Sequence, residues 1–297
     1  MRVQRFLASA WASVHAPHDP RRLLLATLEA GFAGLGVSPG PRPVDWGAVH
    51  DAAFDLPVEF AAVRANNPLA EHSATDGLAS TRDGERQTAR LAIQQAVATA
   101  RRLACPRVVF DGGVVPVLGE IEVEDLGDPQ YDWTKERAHA LLARRKVGRD
   151  AAVDRLCREL FDLIKAFPDI DFCVTQNRSL RAVLDLPALR DVVEDLGHRR
   201  LFYWHDAAIC TRRQQVLGEP QGEWLEAFGA RCRGISLGDA SADGLYQPPG
   251  SGGVDGGLLA SYVPRTGSPL PVVLELDVAV PPAELPGMRS WLQRFGL

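Results

Sequence analysis

Phe172-Cys173-Val174-Thr175-Gln176-Asn177 is a short apolar run that turns polar at its C-terminal end. The clearest helix signal in the chain precedes it. Val153, Leu156, Cys157, Leu160, Phe161 and Ile164 recur at i, i+3, i+4, i+7, i+8 and i+11, one continuous apolar stripe. Pro168-Asp169 ends that helix. A second amphipathic segment follows, with Leu189, Val192, Val193 and Leu196 on one face. Leu201-Phe202-Tyr203-Trp204 then runs apolar and ends in His205-Asp206. Helix, buried strand, helix, buried strand is the pattern of a parallel sheet in an α/β fold. In such folds the chemistry collects where the strands end.

Outward from this stretch the alternation continues in both directions. Upstream, residues 3–7, 34–37, 57–64 and 107–110 read as strands. Asp19-Pro20 opens a helix as N-cap and first helical residue, Leu23, Leu24, Thr27 and Leu28 form its inner face, and Gly31 stops it. Residues 45–53 read as a short helix. Residues 80–103 read as a long one, with Leu91, Ile93, Val97 and Leu103 inward. The third strand closes on Asn66-Asn67-Pro68 and the fourth on Asp111-Gly112-Gly113. Residues 114–148 form the longest irregular stretch. It carries an acidic patch (Glu120, Glu122, Glu124, Asp125) and then Arg144-Arg145-Lys146, and reads as a lid or binding loop. Downstream, residues 223–232 are helical, with Trp224, Leu225 and Phe228 inward. Residues 234–237 are a strand ending in Gly238-Asp239, and a glycine-rich loop occupies 250–257. Residues 271–277 are the last strand and 283–295 the last helix. Eight strand candidates in 297 residues predict a single (β/α)8 TIM barrel over residues 1–297; an open doubly wound sheet is the alternative.

Bulk properties narrow the function. With 33 basic and 38 acidic residues the formal net charge is −5, which disfavours nucleic acid and anionic membrane as partners. No apolar run approaches the roughly 20 residues of a membrane span. Arg2 and Arg5 before the apolar residues 6–12 faintly resemble a signal peptide, but this segment reads better as the first barrel strand. The five cysteines are scattered without a CxxC pair, which points to a reducing, cytoplasmic setting, and Cys157 and Cys173 read as buried hydrophobes.

Several polar residues at the strand ends stand out. Glu275 lies within the apolar segment PVVLELD, where an unpaired carboxylate costs stability, so a mouth-facing role competes with a structural salt bridge. Asp206 is a candidate ligand or a helix cap, and Gln176 a substrate-orienting group or a satisfied core amide. His205 reads as a substrate contact or a hydrogen-bonded rim residue, Ser236 as a contact or a small barrel-layer residue, and Asp111 as an acid or part of a tight turn. A one-residue slip would exchange His205 and Asp206 between the two faces. In the long loop, Tyr131 and Trp133 could stack on a ligand ring, and Arg144, Arg145, Lys146 and Arg149 could hold a phosphate or carboxylate; a solvated face is the plainer reading. The glycine-rich loop could cradle a phosphate, while Asp239 reads as the cap of its own loop and Asp255 as the N-cap of the next helix. No Ser/His/Asp triad, HExxH or dinucleotide fingerprint is present.

Leu28-Glu29-Ala30-Gly31-Phe32-Ala33-Gly34, the long helix leading into RVVFDGG, SLGDA, GSGGVD and the closing VVLEL together resemble the sugar phosphate isomerase/epimerase family, the xylose isomerase-like TIM barrels. The likeness spans roughly residues 20–295. It implies one divalent metal at the C-terminal mouth, held by Glu, Asp, His and Glu from four strand ends. By position these fall on Gln176, Asp206, Ser236 and Glu275, and the family's common strand-four histidine falls on Asp111. Asp206 and Glu275 match; the others depart. Metal-ligand candidates are therefore Asp206, Glu275 and Gln176, an oxygen set suited to Mg²⁺ or Mn²⁺ rather than Zn²⁺, if a metal is held at all. Clustered carboxylates need a cation, a nearby arginine or a shared proton.

The resemblance implies a sugar or polyhydroxy-acid isomerase, epimerase or lyase that moves a proton next to a carbonyl, with Glu275 as base. Gln176 cannot replace a second carboxylate in that role. The alternative is a barrel that has lost catalysis and binds a sugar-like or partner ligand in the same mouth. A third reading is metal-free proton transfer with Asp111 and Glu275 as acid and base. A small sugar-like molecule is the expected partner, and a homo-oligomer stays open.

Overall fold

In a computed structural model, residues 3–16, 18–65, 77–116, 124–196 and 200–297 are described. Among them, eight parallel strands close a barrel in the order β1-β10-β7-β6-β5-β4-β3-β2. The strands are β1 (Val3–Ala8), β2 (Gly34–Val37), β3 (Glu59–Arg64), β4 (Arg107–Phe110), β5 (Asp171–Val174), β6 (Leu201–Asp206), β7 (Cys232–Leu237) and β10 (Leu270–Leu274). A two-stranded antiparallel pair, β8 (Asp239–Ser241) and β9 (Gly244–Gln247), is inserted after β7. This is the (β/α)8 barrel. The candidate signal segment is the end of β1 and helix α1 (Ser9–His15). No helix of the described residues is long and apolar enough to cross a membrane.

Helices α2 (Pro20–Glu29), α3 (Trp46–Ala53), α4 (Asp83–Arg102), α5 (Lys135–Ala166), α6 (Leu186–Leu196), α7 (Ala207–Leu217), α8 (Glu223–Phe228), α9 (Gly256–Ser261) and α10 (Leu285–Phe295) surround the strands. Their starts follow from side-chain caps. Asp19 accepts a hydrogen bond from Arg22 N, Asp45 from Gly47 N and Ala48 N, and Asp255 from Leu258 N. Gly31 ends α2 with φ +82°, a conformation that favours glycine.

The 114–148 stretch is loop only in part. Thr134 caps α5 by accepting from Arg137 N, and α5 then runs 32 residues, from Lys135 to Ala166. Its early inner face is Ala138, Leu141 and Arg145, so a buried arginine interrupts the apolar stripe that would have revealed the helix. Glu120, Glu122 and the Asn66-Asn67-Pro68 turn lie outside the described residues. On α4 the buried face is Ile93, Ala96, Val97 and Ala100, and Leu91 is 47% exposed. Phe161 likewise turns outward, and Leu163 takes its place on the buried face of α5. Cys157 is only partly buried.

The main core lies between strands and helices, where Phe110, Phe172 and Val174 meet Leu156 and Leu160 of α5. A smaller cluster fills the barrel interior: Phe6, Ala62, Val109, Cys173, Trp204 and Val273. Glycine makes room for the largest of these. A Cβ on Gly234 would stand 2.2 Å from the Trp204 ring.

Candidate functional site

Strand parity decides which side chains reach the mouth. On β6, Trp204 joins the interior cluster, so Asp206 shares its face and Tyr203 and His205 share the other. Asp206 is fully buried. Its Oδ1 caps α7 through Ile209 N at 3.1 Å and its Oδ2 accepts from Tyr246 Oη at 3.1 Å. Glu275 follows directly on β10 and continues its ladder, donating its backbone N–H to Leu237 O at 3.0 Å.

Between these two carboxylates stands Arg64, the last residue of β3. Its Nη2 is 3.7 Å from Asp206 Oδ2 and 3.6 Å from Glu275 Oε1, and it donates to Ser236 Oγ at 2.7 Å. Trp204 Nε1 donates to the same hydroxyl at 2.9 Å. With two donors on it, the Ser236 hydroxyl has its own proton free for Glu275 Oε1, 3.3 Å away. Asp111 borders the cluster, accepting from Gly113 N at 2.8 Å and from the Asn177 side chain, and it feels the Arg64 charge.

Three carboxyls thus share one central guanidinium. Burial raises the proton affinity of Asp111, Asp206 and Glu275 above the usual carboxylate range, and Arg64 pulls each back only in part. The sign of the linkage follows. Each raised group contributes stability that is fully present below its unfolded pKa and lost as pH rises through the folded one. Glu275→Gln should therefore flatten the fall in stability as pH rises above the ordinary carboxylate range. Denaturant melts at stepped pH measure this, and an unchanged slope would refute the raised proton affinity of Glu275.

Tyr246 carries a further sign of constraint. It is a non-glycine residue at φ +61°, and its backbone passes close to Gly238, where a Cβ would meet Tyr246 Cα at 2.9 Å. The strained residue is the one that delivers a hydroxyl to Asp206.

The other candidates go elsewhere. Gln176 turns away from the mouth: its Nε2 donates to Tyr203 Oη, and its Oε1 accepts from Asp206 N at 3.1 Å. It supports β6 and offers no oxygen to a metal, so the expected Asp206–Glu275–Gln176 ligand set is not assembled. His205 faces the helices, where its Nδ1 and Tyr203 Oη are 2.7 Å apart, and burial lowers its pKa to about 3. A substrate contact from His205 is thereby corrected to a neutral, packed imidazole. Arg145 is also structural. It is 4% exposed and donates to Ala182 O at 2.5 Å, Val183 O at 2.9 Å and Asp185 Oδ2 at 2.6 Å, tying α5 to the segment before α6. Trp133 packs on Tyr131 at a 48° tilt with ring centroids 4.5 Å apart, and lies against the cluster of Leu126, Leu141 and Tyr246. The glycine-rich loop does not cradle a phosphate in this conformation. Its amides at Gly250 and Val254 point at the Asp239 carboxylate, at 2.8 and 2.9 Å.

Sequence reading missed Arg64, Tyr246 and the Trp204 indole. Arg64 had a signal: it is a cation that directly follows the apolar run FAAV at the C-terminal end of its strand.

A divalent ion needs carboxylate oxygens at roughly 2.0–2.6 Å. Here the guanidinium fills the space between the two carboxylates that would supply them, and among the described residues no imidazole faces the mouth. Among the described residues no three His, Cys, Asp or Glu side chains converge as ligands. The described residues as arranged do not fit a divalent metal. At the centre, among the described residues, Gly36, Arg64, Trp204, Ser236 and Glu275 line a half-open cleft of about 10 Å³, room for about one water.

Neither a protein-family model nor a curated protein matches the sequence. Solved structures do match. A D-tagatose 3-epimerase-like protein superposes with TM-score 0.69 at 15% identity, covering 99% of this chain and 97% of that one. A D-psicose 3-epimerase with D-tagatose from Clostridium cellulolyticum H10 gives 0.65 at 13% identity over 98% and 90%. The chain has the xylose isomerase-like TIM-barrel fold. An AP endonuclease, family 2, from Brucella melitensis also matches, with TM-score 0.62 at 14% identity over 99% of both chains. The same fold thus carries both epimerases and an AP endonuclease, and the arrangement at this mouth must carry the functional argument.

Proposed function

We propose that the chain acts on a small sugar-like polyhydroxy compound at the barrel mouth, without a divalent metal. The observation that carries this is Arg64 between Asp206 and Glu275, a tethered cation where the resemblance implies a metal. Proton transfer next to a carbonyl needs a base and a fixed charge for the developing oxyanion. Glu275 is the base, oriented by Ser236 and brought by burial toward a more useful proton affinity. Arg64 is the fixed charge. Asp111 is the candidate acid. Gln176 is an amide engaged with Tyr203, so two-base epimerisation is not supported and a one-base reaction is. The fold shared with sugar epimerases supports a sugar-like ligand.

The test is solvent-deuterium incorporation into a panel of aldoses and ketoses by chelator-treated protein, followed by NMR. Exchange should survive chelation and fall at least about 100-fold in Glu275→Gln. Exchange that requires added Mn²⁺, or that is equal in the variant, would overturn the reading. A second reading, a barrel that binds without catalysis, is favoured by Gln176, a neutral amide engaged with Tyr203 where a second acid–base group would be needed. It expects no exchange with any sugar from a cooperatively folded protein, together with a sugar-dependent rise in Tm.

A further inference from the structure

A second cavity lies on the flank of the barrel, outside the mouth. It has a volume of about 320 Å³ and is bounded by the segment after β2, the start of α3, the outer face of β3 at Val63 and the middle of α4. That volume falls within the range of ordinary small-molecule pockets, roughly 300–1,000 Å³. Its chemistry is set by Ser38, Arg42, Val44, Trp46, Gln95 and Thr99.

Ser38 is the anchor. It is 5% exposed, lines the cavity, and its Oγ has no hydrogen-bond partner among the described residues. Its backbone is fixed on both sides by Ser9, whose Oγ donates to Ser38 O at 2.9 Å and accepts from Ser38 N at 2.8 Å. The strand end is thereby held while the hydroxyl is left over. A buried hydroxyl without a partner costs stability, and a ligand that pairs with it removes that cost. Val44 and Trp46 offer an apolar wall, and Gln95 and Thr99 offer polar groups from α4. The lining contains no carboxylate and two arginines: Arg42, which donates through Nη1 to Ser13 O and Val14 O, and Arg64, which is engaged with the mouth cluster. This balance suits a neutral or anionic guest and disfavours a cation.

We propose that this cavity is a second binding site, for a small aromatic or alicyclic molecule that carries a hydroxyl or carboxylate. The ring packs on Trp46 and Val44, and the polar group pairs with Ser38. Arg64 belongs to the lining of both this cavity and the central one, so β3 separates the two sites. The inference does not rest on the reaction proposed for the mouth.

The experiment is ligand-observed NMR titration of the full chain with phenol, benzoate and 4-hydroxybenzoate, with benzylamine as the cationic control. At least one of the three should bind, and benzylamine should bind at least tenfold more weakly. Gln95→Trp and Thr99→Trp fill the cavity from its accessible side and should each weaken binding at least tenfold while keeping a cooperative melt. Ser38→Ala should weaken it as well. Glu275→Gln, which alters the mouth, should leave the affinity unchanged. Failure of all three probes to bind the folded wild type would overturn the proposal. So would an affinity unchanged by both tryptophans, or binding lost in Glu275→Gln.

Discussion

Arg64→Ala lowers the stability of this protein by about 3–5 kcal/mol at neutral pH, the usual cost of removing one partner from a buried ion pair. Asp206 and Glu275 would be left buried at 0% and 4% exposure without their shared cation. The loss should shrink as pH falls, because carboxyls whose proton affinity is already raised then neutralise themselves. The same variant should gain a property the wild type lacks. With the guanidinium gone, Asp206, Glu275 and Ser236 face an open space, and Mn²⁺ or Mg²⁺ should raise its melting temperature. A cation at about 100 times its Kd adds about 2.7 kcal/mol. Wild-type melts should not respond. Melts of both proteins with chelator and with each cation decide the matter. A metal-dependent shift in the wild type, or none in Arg64→Ala, would show that the arginine does not stand in the metal's place.

That arginine marks the limit of what the sequence could disclose. The barrel itself was legible, because eight βα alternations are written in apolar runs and in capping residues such as Asp19 and Asp255. The direction of the side chains at the strand ends was not. A strand of a parallel barrel is buried on both faces, so its residues need not alternate in polarity. LFYWHD therefore gives no sign that Trp204 and Asp206 face inward while Tyr203 and His205 face the helices. Gln176 lies past the end of β5, where strand alternation no longer governs, and it folds back onto Tyr203 and the β6 backbone. The first part of α5 was hidden for a different reason. Arg145 occupies a core position but is satisfied by two carbonyls and Asp185, a set of partners that only the tertiary fold brings to it. Asp206 was read both as a ligand and as a helix cap. It caps α7 with one oxygen and faces Tyr246 and Arg64 with the other, so the two descriptions were never exclusive.

The small central cavity has one main cause, and it leads to the second large effect. Trp204 is 1% exposed and fills the interior beneath the charged cluster, in a barrel whose other inward residues include Ala62, Val109 and Cys173. Gly234 exists to admit it, and the indole N–H orients Ser236 toward Glu275. Trp204→Ala removes both packing and orientation, and should cost about 3–5 kcal/mol, as tryptophan deletions in cores do. Trp204→Phe keeps most of the volume and loses the donor, so its stability cost should be smaller, on the order of 1 kcal/mol. If Ser236 orients the base, Trp204→Phe should nonetheless shift the pH dependence of any proton exchange that Glu275 performs. Denaturant melts of the two variants, read beside their exchange rates against pH, separate the roles. Equal melts for Ala and Phe would mean that the interior is not packed around this ring. An unchanged pH profile in a stable Trp204→Phe would mean that the indole supports the barrel and not the base.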